Sequence, residues 1–218
     1  MDKFITELEA YLKTNGLENY LLSTEELDTL YTFDSLEWKE FQIEELFQVK
    51  TYKKRFDANK VTLVYEGGHP YVVRQSTNNG IKGFINEDTK YLIEGNTISF
   101  GQDTATSYYQ EQPYFTGDKI KILKPKFKGF NKENAQFFVS AITRSFSKFS
   151  WGSSSYREEI IKKQKIALPV LNNEIDLKYI EIFTKAITKL AIKDVVQYKD
   201  ERIEKTKTEI KRNQILPK

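Results

Sequence analysis

Arg74-Gln75-Ser76-Thr77-Asn78-Asn79-Gly80 places within seven positions the side chains whose donors and acceptors suit nucleobase edges. An arginine fork bridges O6 and N7 of guanine, and a carboxamide bridges N6 and N7 of adenine. The same residues also make an ordinary polar turn closed by Asn-Gly. A second polar stretch, Gln102-Asp103-Thr104-Ala105-Thr106-Ser107-Tyr108-Tyr109, reads as a loop that follows a strand. A third group, Arg144, Lys148, Trp151, Ser153-Ser154-Ser155, Tyr156 and Arg157, mixes phosphate-seeking cations with aromatic rings and hydroxyls. Lysines at 119, 121, 124, 126, 128 and 132 suit phosphate contacts, which position a polyanion without specifying its sequence.

Catalytic chemistry is far less well represented. The chain has no Cys and one His, which removes disulfides, thiolate nucleophiles and two-His metal sites. The five prolines are never adjacent, so an amino-methyltransferase Pro-Pro-aromatic loop is absent. No Gly-x-Gly turn and no Walker lysine loop offers a nucleotide or methyl-donor site. Asp88-x-Lys90 and Glu209-x-Lys211 resemble half of a nuclease acidic motif, one in a loop and one on a polar helical tail. His69 beside Pro70 reads as structural, and no His accompanies the serine triplet.

The formal charge of +3 on 218 residues conceals an asymmetry. Residues 1–48 carry twelve acids and three bases, whereas 119–170 carry twelve bases and three acids. An acidic end and a basic body follow, and a basic body attracts polyanions. The bland reading of those bases is a solvated, lysine-rich face. No apolar run approaches the ~20 residues of a membrane span. Met1-Asp2-Lys3-Phe4 shows no cleavable signal pattern, so the expected location is the cytoplasm.

The elements that must carry these residues fall into three textures. Phe4, Leu8, Tyr11 and Leu12 form one apolar stripe, and Asn15-Gly16 ends that helix. Ser23 with Glu26 predicts a capping box for a second helix, whose apolar side is Leu27, Leu30 and Tyr31. From Trp38, short β-rich runs separated by Gly and Asn predict strands at 61–65, 71–74, 83–85, 97–100, 114–115 and 119–123. A helix over 134–149 and a short strand at 166–170 follow. Beyond Asn173, Ile180, Phe183, Ile187, Leu190, Ala191, Val195 and Tyr198 form a continuous 3/4-spaced seam with no Pro or Gly before 217. A helix of about 40 residues would be about 60 Å long and would need a helical partner.

Taken in order, several of these stretches resemble the specificity (S) subunits of Type I restriction-modification systems. They are Trp38-Lys-Glu-Phe-Gln-Ile-Glu-Glu-Leu-Phe47, Lys53-Lys54-Arg55, Pro70-Tyr71-Val72, Asn78-Asn79-Gly80-Ile81, Glu94-Gly95-Asn96-Thr97-Ile98 and Arg157…Ile166-Ala167-Leu168-Pro169-Val170. The resemblance covers roughly 36–215 and implies a mixed α/β target recognition domain followed by a spacer helix. Family members usually carry two of each, with the helices antiparallel. One of each here implies a half-size form that homodimerises.

The expected fold is therefore α+β: an acidic helical segment (1–35), a DNA target recognition domain with mostly short strands (36–171), and a long spacer and dimerisation helix (172–218). Expected DNA contacts are Lys53, Lys54, Arg55, Arg74, Gln75, Asn78, Asn79, Lys82, Gln102, Thr104, Tyr108, Arg144, Lys148, Ser153, Tyr156 and Arg157. Expected dimer contacts are Ile180, Phe183, Ile187, Leu190, Val195 and Tyr198, making an antiparallel coiled coil. The resemblance implies a non-catalytic subunit that binds a bipartite double-stranded DNA target. Its partners would be a methyltransferase (modification) subunit holding S-adenosylmethionine and, where restriction follows, a motor nuclease. No cofactor, metal or membrane is expected for this chain itself. An alternative is a decoy or partner-binding module that occupies modification or specificity subunits without selecting DNA.

Overall fold

The chain separates into two units, Leu36–Ile180 and a second made of Met1–Ser35 with Glu181–Lys218. The computed structural model describes residues 3–14, 16–52, 54–147 and 157–215, with side chains placed as far as Thr208.

The first unit is built from three sheets and one principal helix. Strand β1 (Trp38–Gln42) leads through a one-turn helix (Ile43–Leu46) into β2 (Phe47–Lys50). Then come β3 (His69–Val72), β4 (Ile81–Ile85), β5 (Thr97–Gly101), β6 (Ser107–Gln110), β7 (Phe115–Thr116) and β8 (Ile120–Pro125). The chain closes with a long helix (Lys132–Phe146), a short one (Glu158–Lys163), β9 (Lys165–Leu171) and β10 (Glu174–Ile175). The sheets have the orders β1-β9-β10, β2-β8-β5-β6 and β4-β3-β7, and β3-β7 is a parallel pair.

Asn131 starts the long helix for a clear local reason. Its side chain accepts from the N–H groups of Glu133 and Asn134, and the Asn134 side chain accepts from the Asn131 N–H in return. These bonds satisfy donors that a helix start leaves unpaired. Ala135, Phe138, Ile142 and Phe146 then lie on one face over Phe47, Ile98, Phe100 and Leu123 of the four-stranded sheet. Phe47 meets Phe127, Phe130 and Phe138 edge-on at 5.7–6.0 Å, a geometry favoured by aromatic quadrupoles. A second core holds Phe56, Tyr71, Ile85 and Phe115, where the Tyr71 hydroxyl donates to the Phe56 carbonyl at 2.6 Å.

Two strand expectations fail. Residues 61–65 make no strand: only Val64 bridges Phe84, and Leu63 and Tyr65 are exposed. The left-handed pair Gly67-Gly68 turns the chain before a ladder forms. Conversely, the stretch expected as a loop at 102–109 holds β6, paired antiparallel with β5 from Thr97↔Gln110 to Phe100↔Ser107. Its two buried residues, Ser107 and Gln110, are polar and three apart, so no apolar alternation marks it.

The second unit contains helix α1 (Lys3–Thr14), helix α2 (Thr24–Tyr31) and most of the C-terminal helix (Leu177–Ile215). With the three intervening helices numbered α3 to α5 in chain order, this last one is α6. At 39 residues it is about 58 Å long. Gly16, at φ +64°, lets the Leu17 N–H reach the Leu12 carbonyl and ends α1. The Ser23–Glu26 capping box forms as the spacing predicts.

The buried faces of these helices differ from the sequence expectation. Helix α1 buries Ile5 and Leu12, seven residues apart on one face, and leaves Phe4 and Tyr11 exposed. Helix α2 buries Glu26 and Thr29 and exposes Leu27 and Tyr31. The cause is an ion pair: Glu26 meets the Lys189 ammonium of α6 at 2.8 Å, with side chains only 4% and 11% exposed. Lys189 also donates to the Leu21 carbonyl, Phe33 stacks on Phe183, and Gln197 donates to the Tyr20 hydroxyl. The acidic N-terminal segment thus binds the basic helix within one unit.

Candidate nucleic-acid interface

Three turns meet at one end of the β5–β6 hairpin. The 73–80 turn carries Arg74, the hairpin turn carries Asp103, and the turn before β8 carries Asp118 and Lys119. Arg74 and Lys119 both pair with Asp103, Lys119 at 2.8 Å, and Arg55 pairs with Asp118 at 2.7 Å. These pairs are half exposed, and such pairs contribute little to stability. Their effect is to fix the three turns relative to one another.

The carboxamides of the first turn fold the turn itself. Gln75 donates to the Thr77 and Ile81 carbonyls, and Asn78 donates to the Ile81 carbonyl. Asn78 and Asn79 both adopt left-handed backbone, which Asn tolerates better than most residues. From β6, the buried Gln110 donates to the Asn79 carbonyl at 2.9 Å and to the Ser99 hydroxyl at 3.1 Å. Gly80, at φ +75°, closes the turn, and a Cβ there would lie 3.2 Å from the Tyr108 ring. Gly80→Val should therefore cost about 1–3 kcal/mol in backbone strain and shift Tyr108. Chemical denaturation, with the hydrogen exchange of 74–81, checks both.

The remaining expected contacts divide. Lys82 donates to the Ala58 carbonyl, and the Thr104 hydroxyl lies 2.8 Å from that of Thr106. The Gln102 N–H donates to the Lys119 carbonyl, which keeps Gln102 in the same cluster. Arg144 is exposed on α4, and Tyr108 is half-buried beside it. Lys54 lies elsewhere, over the rings of Phe56 and Tyr91 at 5.0 and 5.7 Å. It lines a depression of about 780 Å³ with Lys50, Lys90 and Glu158. Arg157 caps the start of α5 with its carbonyl. Lys53, Lys148, Trp151, Ser153–Ser155 and Tyr156 lie outside the described residues.

Many of the lysines in 119–132 have local acceptors. Lys121 lies 3.8 Å from Glu158, Lys124 2.6 Å from Glu94 and Lys132 4.0 Å from Glu111, while Lys126 donates to the Glu44 carbonyl. Burial raises the Tyr108 and Tyr109 hydroxyls above the ordinary phenol range, and Glu111 and Glu133 reinforce this at Tyr109. Both stay neutral at physiological pH, and the Tyr109 hydroxyl donates to the Asn96 side-chain oxygen at 3.0 Å. Asp88 caps its own turn and pairs with Lys90 at 2.6 Å, and the half-buried His69 packs edge-on against Phe115. The Glu209 side chain lies outside the described residues.

Sequence reasoning missed a groove of about 590 Å³ between β6 and α4. Its α4 wall presents Gln136, Ser140, Thr143, Arg144 and Ser147, and its β6 wall presents Ser107, Tyr108 and Tyr109, with Asn79 at one end. The helical spacing of that polar stripe was legible, because its residues alternate with the apolar face of α4. Its neighbours on β6 were not, because that strand itself was hidden. Among the described residues, no helix is long and apolar enough to cross a membrane.

Known proteins resemble this chain along most of its length. The family described as "Type I restriction modification DNA specificity domain" matches residues 35–211. The specificity subunit of the Type II restriction enzyme BcgI from Heyndrickxia coagulans is 30% identical over 154 residues, 70% of this chain and 44% of that protein. Among solved structures, the HsdS subunit from Thermoanaerobacter tengcongensis aligns with TM-score 0.50 and 12% identity, covering 95% of this chain and 53% of that one. A chain from a structure of the type I R-M system aligns with TM-score 0.54 and 12% identity, covering 96% and 53%. The chain thus spans about half the length of the relatives it matches, and the two structural likenesses carry the fold alone.

Proposed function

The chain belongs to the family of type I restriction-modification DNA specificity domains, and from that premise we propose that it selects a DNA target on behalf of a methyltransferase subunit. The observation that carries this reading is the meeting of the three turns and the α4 groove at the β5–β6 hairpin. They lie in the unit with 22 basic against 17 acidic side chains, so the reading surface belongs to the more positive half of the molecule. The neutral Tyr108 with Gln136, Ser140 and Thr143 of the groove would supply base-edge chemistry, and the half-exposed cations can exchange their carboxylates for phosphates.

Two copies would join through α6, whose Ile187, Leu190, Val195 and Tyr198 are 44–50% exposed. A two-fold pair presents its reading surfaces in inverted orientation, so the target would be a split palindrome with its gap set by α6. The modification subunit and, for restriction, a motor nuclease would assemble on this pair in the cytoplasm.

The test is a randomised DNA pool exposed to the full chain with a family modification subunit, followed by mapping of methylated adenines. A split palindromic consensus is expected. An asymmetric consensus overturns the two-fold arrangement. Binding that is weak, unselective and insensitive to salt favours the decoy reading, because phosphate contacts release counterions and make affinity fall steeply with salt.

A further inference from the structure

We propose that the groove between β6 and α4 reads a guanine-bearing base-pair edge, and that Arg144, Thr143 and Ser107 set its specificity. This rests on the DNA-selecting reading above and names the part of the surface that discriminates. The first ground is elimination by geometry. Arg55, Arg74 and Lys119 are paired with Asp118 and Asp103, and Lys82 is held by a backbone carbonyl. Such cations suit phosphates, whereas an arginine without a carboxylate partner keeps its whole fork for a base edge. Arg144 is exposed on α4, and no carboxylate among the described residues pairs with it.

The second ground is the composition of the helix face. An exposed helical stripe is ordinarily filled with Glu and Lys. Here the residues at 136, 140, 143, 144 and 147 are Gln, Ser, Thr, Arg and Ser, with no acid among them. Ser140 and Ser147 return their hydroxyl protons to helix carbonyls, which leaves their oxygens as acceptors. A carboxylate would repel the electronegative guanine edge, and none lies on this stripe.

The third ground is independent of both. Ser107 lines the groove, and its hydroxyl, buried at the groove wall, has no hydrogen-bond partner among the described residues. Leaving such a group unsatisfied is unfavourable, and an occupant of the groove would supply the missing partner. The edge position of β6 in its sheet leaves the groove open along one side.

The experiment selects DNA from a randomised pool with this chain, its Arg144→Lys, Thr143→Val and Ser107→Ala variants, and Lys60→Ala as an exposed-lysine control. Arg144→Lys keeps the charge but loses the two-pronged bond. It should keep its affinity for random DNA and its salt dependence, while discrimination at one half-site position falls about 5- to 150-fold. Thr143→Val and Ser107→Ala should alter preference at that position or the next. Ser107→Ala should leave the melting midpoint unchanged or raise it, since it removes an unpartnered group. Lys60→Ala should change no position's preference. Variants with the wild-type preference at every position overturn the groove assignment. A uniform affinity loss in Arg144→Lys makes Arg144 a phosphate clamp and overturns it too. If the wild type itself enriches no sequence, the DNA-selecting reading fails, and this one falls with it.

Discussion

Lys189→Met, with Glu26 left in place, is expected to destabilise the helical unit by about 3–5 kcal/mol, because it strands a buried carboxylate. Lysine 189 is the better site to change, since Glu26 also accepts from the Ser23 N–H and removing it would break the α2 cap as well. The Lys185 ammonium stays 3.8 Å from Glu26 in the variant, which places the loss toward the lower end of that range. Adding Glu26→Gln should restore much of the stability, because it removes the stranded charge while its amide oxygen still accepts from the Ser23 N–H. With the Glu26→Gln single variant as well, the loss in the double variant minus the two single losses is the coupling energy, and hydrogen exchange at 24–31 reads it locally.

The same pair gives the unit a signed pH response. Burial alone would raise the Glu26 carboxyl, but the Lys189 hydrogen bond, the Ser23 N–H and the nearby Lys189 and Lys185 charges together hold it below its ordinary value. A carboxylate with a lowered folded pKa adds stability that is fully present above its unfolded value. That stability is lost as pH falls through the folded one. Wild-type α2 should therefore loosen below about pH 4.5, and a Glu26→Gln variant should show a flatter acid limb.

A Leu190→Asp variant is expected to lose binding to a split palindrome by about 10²–10⁴-fold while keeping its affinity for an isolated half-site. Helix α6 has two distinct faces. Ala186, Lys189, Val196 and Lys199 are buried within the helical unit, whereas Ile187, Leu190, Val195 and Tyr198 stay exposed. A charge on the exposed stripe leaves the buried face untouched and would have to be desolvated in a two-fold pair. Sedimentation should show monomers, and DNA bearing one or two half-sites should separate avidity from intrinsic affinity. Persistent dimers, or equal losses on both DNAs, would count against the α6 pairing.

The seam that predicts pairing is thus narrower than the sequence shows. Ile180 is fully buried in the sheet unit's core and is not available to a second copy, and the half-buried Phe183 stacks on Phe33 with one face of its ring. Periodicity cannot distinguish an apolar residue that meets its own chain from one that awaits another. The same limit explains α2, where one lysine 163 positions away reverses which face is buried. The Ser23 cap and the α4 stripe were legible because their causes lie within one or two helical turns. Strand β6 was not, because its buried residues, Ser107 and Gln110, are polar, and Gln110 is satisfied by a turn 31 residues away. Of the site, the Arg74–Gly80 turn was legible by residue type, but its role in bracing its own shape emerged only from its bonds to Ile81 and Gln110.

The two ends of the sheet unit meet in the small sheet described above. Trp38 lies opposite Pro169, the Val170 N–H donates to the Glu37 carbonyl, and the Asp176 N–H returns to Pro169. Chain enters and leaves that unit side by side, as in a cassette with both connectors on one edge. The helical unit is assembled from the first 35 residues and the last 38. If the sheet unit does the reading proposed above, exchange of one such segment for another through those adjacent connectors would change the target while leaving α6 and its Glu26–Lys189 pair as they are.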